Sequence, residues 1–204
     1  MYKIQSIDYS IIRWGYHTGK RAIFVRFYGC NQACIFCGEQ SHKYTEMTAH
    51  ELLERVLCET DILIAEIKQI KPIVVFTGGE PLIQLIKDSS IIKMLAAAGF
   101  HLHLETNGTI EAGTSRLFNW VTCYPVGDAK LYECDELICI CNESGLQVQC
   151  KEHPIAKYHY IRPLDSDPAF QKATYIVLGY DYDPTLRFTD WKLSIPIYPL
   201  KTFK

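Results

Sequence analysis

The sequence predicts an α/β fold in which parallel strands and helices alternate along the chain and curve into a partial, open barrel. Three observations carry this. The run Ile73-Val74-Val75-Phe76 is wholly apolar, without the in–out alternation of a half-exposed strand, so it suits a strand covered on both faces, as in parallel sheets. Segments with helical spacing lie between such runs, and strand–helix–strand repeats join parallel strands by right-handed crossovers. Finally, 204 residues are too few for a closed eight-fold barrel, which takes about 250.

Taken in order, Ala22-Ile23-Phe24-Val25-Arg26-Phe27-Tyr28 is the first strand, apolar and aromatic with Arg26 its one charge. Gly29 and Cys30 follow at once, so the next cysteines lie on a loop leaving a strand end. Thr48-Ala49-His50-Glu51 forms a capping box, and Leu52, Leu53, Val56 and Leu57 recur at helical spacing behind it. That helix continues, with a break near Thr60-Asp61, through Ile64, Ile67 and Ile70 until Pro72 ends it. After the strand at residues 73–76, a helix is expected over residues 81–98, with Gly99 at its C′ position. Residues 100–104 form the next strand, running into Glu105-Thr106-Asn107-Gly108-Thr109, and further strands are expected at 120–123, 136–141 and 158–161. No linker, repeat or low-complexity segment interrupts the chain, so residues 1–204 are expected to form one domain.

Composition narrows the function. Charged residues make up 22% and hydrophobic ones 48%, ordinary for a soluble globular protein. The net charge is −2 and no Lys/Arg run stands out, so direct nucleic-acid binding has no electrostatic support. No apolar signal core opens the chain and no apolar run is long enough to cross a bilayer, so a cytoplasmic location without a membrane partner is expected. Nine cysteines, an odd number without a secretory signal, read as metal ligands, catalytic groups or core thiols rather than disulfides.

Cys30, Cys34 and Cys37 are spaced Cys-x3-Cys-x2-Cys. Three thiolates fall one short of the four of an ordinary iron–sulfur cluster, which leaves one iron open to an outside ligand. Phe36, next to the last cysteine, would shield a cluster from water. A zinc loop or free core thiols are the alternatives. Cys134, Cys139, Cys141 and Cys150 could hold a second cluster, but Cys139 and Cys141 alternate with Ile138 and Ile140 as buried thiols do. Cys58 and Cys123 read as packing residues.

In parallel α/β folds ligands gather at the carboxyl ends of the strands. The cysteine loop, Thr77-Gly78-Gly79-Glu80-Pro81 and Glu105-Thr106-Asn107-Gly108 all fall on that edge. Gly78 and Gly79 let backbone approach a ligand, and carbonyls there can accept hydrogen bonds from an ammonium group with Glu80 nearby. A plain turn before a proline-started helix is the alternative.

Together these residues resemble the radical S-adenosylmethionine superfamily, which has Cys-x3-Cys-x2-Cys after its first strand and Gly-Gly-Glu-Pro after its second. The resemblance implies a radical-SAM-type barrel and a [4Fe–4S] cluster on Cys30, Cys34 and Cys37. It implies an S-adenosyl-L-methionine site lined by Phe36, Gly38, Gly78, Gly79, Glu80 and Asn107. The reduced cluster cleaves the sulfonium, and the resulting 5′-deoxyadenosyl radical takes hydrogen from a substrate. Within the superfamily the chain is most similar to the 7-carboxy-7-deazaguanine synthase family, through Ile7 to Ser10, Phe24-Val25-Arg26-Phe27, Gly29-Cys30-Asn31, the Thr77 and Glu105 segments, and Arg162-Pro163-Leu164-Asp165.

That likeness implies a lyase of queuosine and deazapurine biosynthesis. It would convert 6-carboxy-5,6,7,8-tetrahydropterin to 7-carboxy-7-deazaguanine with loss of ammonia. Arg26 would face the substrate carboxylate, with a surface or core-edge ion pair as its alternative, Thr77 would face the pterin, and Ile12 would also stand beside the substrate. A homodimer and a flavodoxin or ferredoxin as reductant are implied as well; Glu39, where the family has a hydroxyl ligand for magnesium, could serve as a hard oxygen donor, a solvated loop glutamate being the alternative. The chain departs from the family at substrate positions. It has Ile12-Arg13-Trp14-Gly15 for Gln-Gly-Glu-Gly, Gly38-Glu39 for Asp-Thr, Tyr124-Pro125-Val126 for Ser-Pro-Lys, and Pro196-Ile197-Tyr198-Pro199 for Gln-Thr-His-Lys. Such changes leave the radical machinery in place and alter the pocket that chooses the substrate. Two alternatives stay open: a radical enzyme of another substrate, whether a heterocycle or a glycyl-radical partner, and a non-catalytic iron–sulfur or zinc protein.

Overall fold

A computed structural model describes residues 1–37, 43–64, 72–111, 113, 117–147, 154–179 and 190–195, with the backbone alone for 61–64. Its strands are β1 (Tyr2–Ile11), β2 (Arg21–Phe27), β3 (Thr45–Met47), β4 (Ile73–Gly78), β5 (His101–Thr106), β6 (Trp120–Cys123), β7 (Glu133–Asn142), β8 (Gly145–Leu146), β9 (Ile155–Pro163) and β10 (Lys192–Leu193). The helices are α1 (Ala49–Ile64), α2 (Leu82–Leu85), α3 (Ser90–Ala97) and α4 (Asp167–Val177).

All the strands join one sheet in the order β10-β9-β7-β6-β5-β4-β2-β1-β3, with β8 appended to β7. From β2 through β10 the path is parallel. β1 and β3 extend it antiparallel beyond β2. With β3 and β10 at opposite ends of the order, the curved sheet is an open barrel.

Strand alternation gives this sheet two different faces. Ile23, Val25, Phe27, Val74, Phe76, Leu102, Leu104, Leu137, Cys139 and Ile161 point to the outer face and form one core with Leu52, Val56, Ile91, Leu95 and Ala173 of the helices. The residues between them turn inward. Arg26 pairs with Thr77, Glu105 with Thr122, Thr122 with Glu136 and Glu136 with Tyr158. The Thr77 hydroxyl donates to Glu105 across the junction of β4 and β5 at 2.5 Å. A polar line therefore runs across the inner face of a sheet whose outer face is apolar.

The capping box forms as read: the Glu51 amide donates to Thr48 Oγ1 at 3.2 Å while the Thr48 amide donates to the Glu51 carboxylate at 2.7 Å. Gly99 closes α3 at φ 81°. The helix expected over residues 81–98 is instead two. The Asp88 carboxylate accepts from the Ser90 amide at 2.9 Å, and such local bonds compete with a continuing helix. Residues 65–70, where α1 was expected to continue, lie outside the described residues. Cys58, expected to pack, sits on the exposed side of α1, whereas Cys123, Cys139 and Cys141 are buried in the core and Cys134 is half-buried. Cys150 is outside the described residues, as are residues 196–199.

Candidate active site

The loops at the carboxyl edge are held together by backbone. The Gly79 amide donates to the Phe27 carbonyl at 2.8 Å, and the Glu80 amide to the Gly29 carbonyl at 2.9 Å. The loop after β4 thus lies directly on the root of the cysteine loop. Side chains do not fit there: a Cβ on Gly78, which has φ 102°, would stand 2.5 Å from the Phe27 carbonyl oxygen, and one on Gly79 would enter the Gly29 backbone. The glycine pair is needed for this close approach, whatever else its carbonyls bind.

Glu80 serves the same junction in a way the sequence did not suggest. Its carboxylate was expected beside an ammonium group, yet it is fully buried and accepts three hydrogen bonds from this chain. The donors are the Leu82 amide at 3.0 Å, the Thr106 hydroxyl at 2.9 Å and the Asn107 amide at 2.8 Å. Burial raises its pKa, and those three bonds oppose the rise. The carboxylate ties the end of β4 to the end of β5, which leaves the backbone of Gly78 and Gly79 as the surface this loop offers.

Asn107 then connects that junction to the thiols. Its side-chain amide donates to Asn31 Oδ1 at 2.9 Å and to Cys30 Sγ at 3.7 Å, while its oxygen accepts from the Thr109 amide at 2.9 Å. The Gln32 amide also donates to Cys30 Sγ, at 3.4 Å. Cys30 is exposed, Cys34 and Cys37 are half-buried, and Phe36 between the last two is half-buried as well. Burial, then the charge of the neighbouring thiols, pushes the Cys34 thiol up; burial likewise raises that of Cys30.

This donor set suits an iron–sulfur cluster. Among the described residues no three His, Cys, Asp or Glu side chains crowd round one point as the ligands of a single ion do. The three thiols lie on one loop, near enough for Cys30 and Cys37 to act on Cys34. Soft sulfur donors select such a cluster, and binding releases the thiol protons that burial otherwise favours. Gly38 and Glu39 lie outside the described residues.

Beneath this edge lie the inward-facing residues of the sheet. Arg26 is one-third exposed, its Nε 3.7 Å from the Asp8 carboxylate. Thr77 is buried and donates to Glu105. Ile12, expected beside the substrate, is buried in a small cluster with Ala22, Phe24 and Val75, so it packs the wall instead of lining open space. Trp14 follows it into the interior, where the Arg162 guanidinium lies 4.2 Å from the centre of its ring. Tyr124 lies beside Arg162, and burial raises its pKa well above the usual value.

The far end is plugged. Tyr16 stacks on Trp120 at 5.1 Å and His17 packs on His103 at 4.7 Å. Glu136 accepts from the Tyr16 amide, Trp120 Nε1 and the Thr122 hydroxyl at 2.8, 3.2 and 2.7 Å.

The structure therefore brings Cys30, Cys34, Cys37, Gly78, Gly79 and Asn107 to one edge, with Arg26 and Thr77 on the inner face of the same sheet. Trp14 and Tyr124 were noted only as changed substrate positions, and Glu105 and Arg162 only within longer segments; none of the four was given a role. The signal was present: Arg26 and Glu105 share the inward parity of their strands, and charge on that parity in an otherwise apolar strand marks a lined cavity.

The radical SAM superfamily profile matches residues 24–117. A 7-carboxy-7-deazaguanine synthase of Bacteroides thetaiotaomicron is 32% identical over 203 residues, covering 98% of this chain and 97% of that one. One of the same name from Burkholderia multivorans is 27% identical, covering 95% of each. Among solved structures, the crystal structure of QueE from Escherichia coli superposes with a TM-score of 0.61 at 21% identity, covering 95% of this chain and 92% of that one, which is a likeness of fold.

Proposed function

Since this chain belongs to the 7-carboxy-7-deazaguanine synthase family of the radical SAM superfamily, we propose that it converts 6-carboxy-5,6,7,8-tetrahydropterin to 7-carboxy-7-deazaguanine, with loss of ammonia. The observation that carries this reading is the seating of the Gly78–Glu80 loop on the root of the cysteine loop, with Arg26, Thr77 and Glu105 on the inner face of the same sheet. Cys30, Cys34 and Cys37 hold a [4Fe–4S] cluster, and Phe36, Gly38, Gly78, Gly79 and Asn107 line S-adenosyl-L-methionine. When bound, the two supply a carbon-centred radical that takes a hydrogen atom from the substrate.

The chain's own residues position and shield. Gly78 and Gly79 present bare backbone to the cofactor's amino group. Asn107 steadies Cys30 through its amide donor. Glu105, already accepting from Thr77, is the acceptor for N–H groups on a heterocycle edge. The plug of Tyr16, His17, His103 and Trp120 keeps water from entering at the far end.

Glu39 is proposed as an oxygen ligand for magnesium. A flavodoxin or ferredoxin as electron donor, a homodimer, a single domain over residues 1–204 and a cytoplasmic location complete the reading. Among the described residues no helix is long and apolar enough to cross a membrane.

Anaerobically reconstituted protein, given the pterin, S-adenosylmethionine and a strong reductant, is expected to form the deazapurine acid, followed by chromatography and mass. Methionine and 5′-deoxyadenosine without that acid would remove the substrate assignment and keep the radical chemistry. The replacement of Gln-Gly-Glu-Gly by Ile12 to Gly15 is what makes that second outcome worth measuring.

A further inference from the structure

We propose that Arg162, seated on Trp14, holds the acid group of the substrate, and that this pair rather than Arg26 sets the preference for a carboxylated ligand. The inference rests on the proposed reaction, because it takes the substrate to be a heterocyclic carboxylic acid on the inner face of the sheet.

Four observations lead here. The Arg162 guanidinium lies 4.2 Å from the centre of the Trp14 ring. A guanidinium packed on an aromatic face gains cation–π attraction and keeps its N–H edges free to the side. Arg162 Nε is buried and has no hydrogen-bond partner among the described residues. Leaving a buried charged donor unpaired is costly, so the site favours a ligand that brings an acceptor.

Tyr124 lies beside Arg162, close enough for the guanidinium to act on its hydroxyl. Arg13 adds a second positive charge 5.9 Å from the same ring, and its Nε too is buried without a partner among the described residues. Arg26, in contrast, already has the Asp8 carboxylate 3.7 Å from its Nε. No ion pair to a carboxylate compensates Arg162 or Arg13 among the described residues. The guanidinium groups at Trp14 therefore lack, among the described residues, the close carboxylate that Arg26 has in Asp8. A carboxylate also matches the two-pronged edge of the guanidinium.

Calorimetric titration of the protein with pterin-6-carboxylate and with pterin lacking the acid tests this without requiring turnover. Wild type is expected to prefer the acid. Arg162→Gln should weaken binding of the acid on the order of 10- to 100-fold, the range of a charge-assisted hydrogen bond, and leave binding of plain pterin unchanged, which also shows that the pocket is folded. Arg162→Lys, keeping the charge without the flat fork, should fall between.

The proposal is overturned if Arg162→Gln keeps the preference, if Arg26→Gln loses it instead, or if wild type shows none. Product assays on the reconstituted enzyme separate the two levels. Acid-selective binding that depends on Arg162 but gives no deazapurine removes the reaction and keeps the site. Product formed by Arg162→Gln at wild-type KM removes the site and keeps the reaction.

Discussion

At the scale of single residues, Glu80 and Cys34 show how closely structure and site are joined. Glu80 is a buried carboxylate with three donors from two loops, so it acts as a clamp under the site. In Glu80→Gln one acceptor oxygen becomes an NH2 that faces donors. The loss should be about 1–3 kcal/mol of stability, read from urea denaturation. Burial raises the Glu80 pKa above its ordinary 4.5, so the folded chain binds this proton more tightly than the unfolded one. The stability from that linkage is fully present below about 4.5 and is lost as pH rises through the raised value; the glutamine variant lacks this slope. Cys34→Ser exchanges a soft thiolate for a poor iron ligand. Its reconstituted protein should lose the visible absorption and the iron, about four per chain in wild type, while its circular dichroism stays unchanged. Zinc at one per chain in wild type would instead favour the zinc-loop reading.

At the scale of elements, the junction between the β2 and β4 loops is the most constrained place in the chain. A Cβ at Gly79 would meet Gly29 backbone, which cannot swing aside as a side chain can. Gly79→Ala should therefore cost roughly 1–3 kcal/mol and lower the yield of reconstituted cluster, because the displaced strand exit carries Cys30. Strands β2, β4 and β6 were legible as short, mostly apolar runs, β5 by the alternation of Leu102 and Leu104 with polar neighbours, and α1 because its capping box is a local signal. The break between α2 and α3 was not, since Leu82, Leu85, Ile91, Ile92 and Leu95 keep a helical spacing across it while Asp88 restarts the backbone. β1 escaped because it lies toward the edge, where half-exposed residues blur its alternation. Even α4, with its Ser166 cap accepting from the Ala169 amide, needed more than its apolar pattern to be seen. Motif residues were readable by spacing, whereas Trp14, Tyr124 and Arg162 meet only when the sheet curls.

At the scale of the whole molecule, the open barrel has chemistry at one edge and a plug at the other, and the plug makes stability depend on acid. His103 is buried, and burial first, then the neighbouring His17, lowers its pKa from 6.5 to about 3. His17 is lowered to about 4, again mainly by burial. In the unfolded chain both take up a proton near 6.5, while in the folded chain they stay neutral well below that. A depressed pKa means stability that is present above 6.5 and is lost as pH falls toward 3, at up to about 1.4 kcal/mol per pH unit for each fully buried group. For half-buried His17 the share is smaller because solvent screens it. His103→Phe keeps a ring beside Trp120 and His17 but cannot take a proton. Urea midpoints measured between pH 7.5 and 5 should fall for wild type and fall distinctly less for His103→Phe. Equal declines in the two proteins would show that the acid sensitivity lies outside the plug, with buried His159 as the next group to replace.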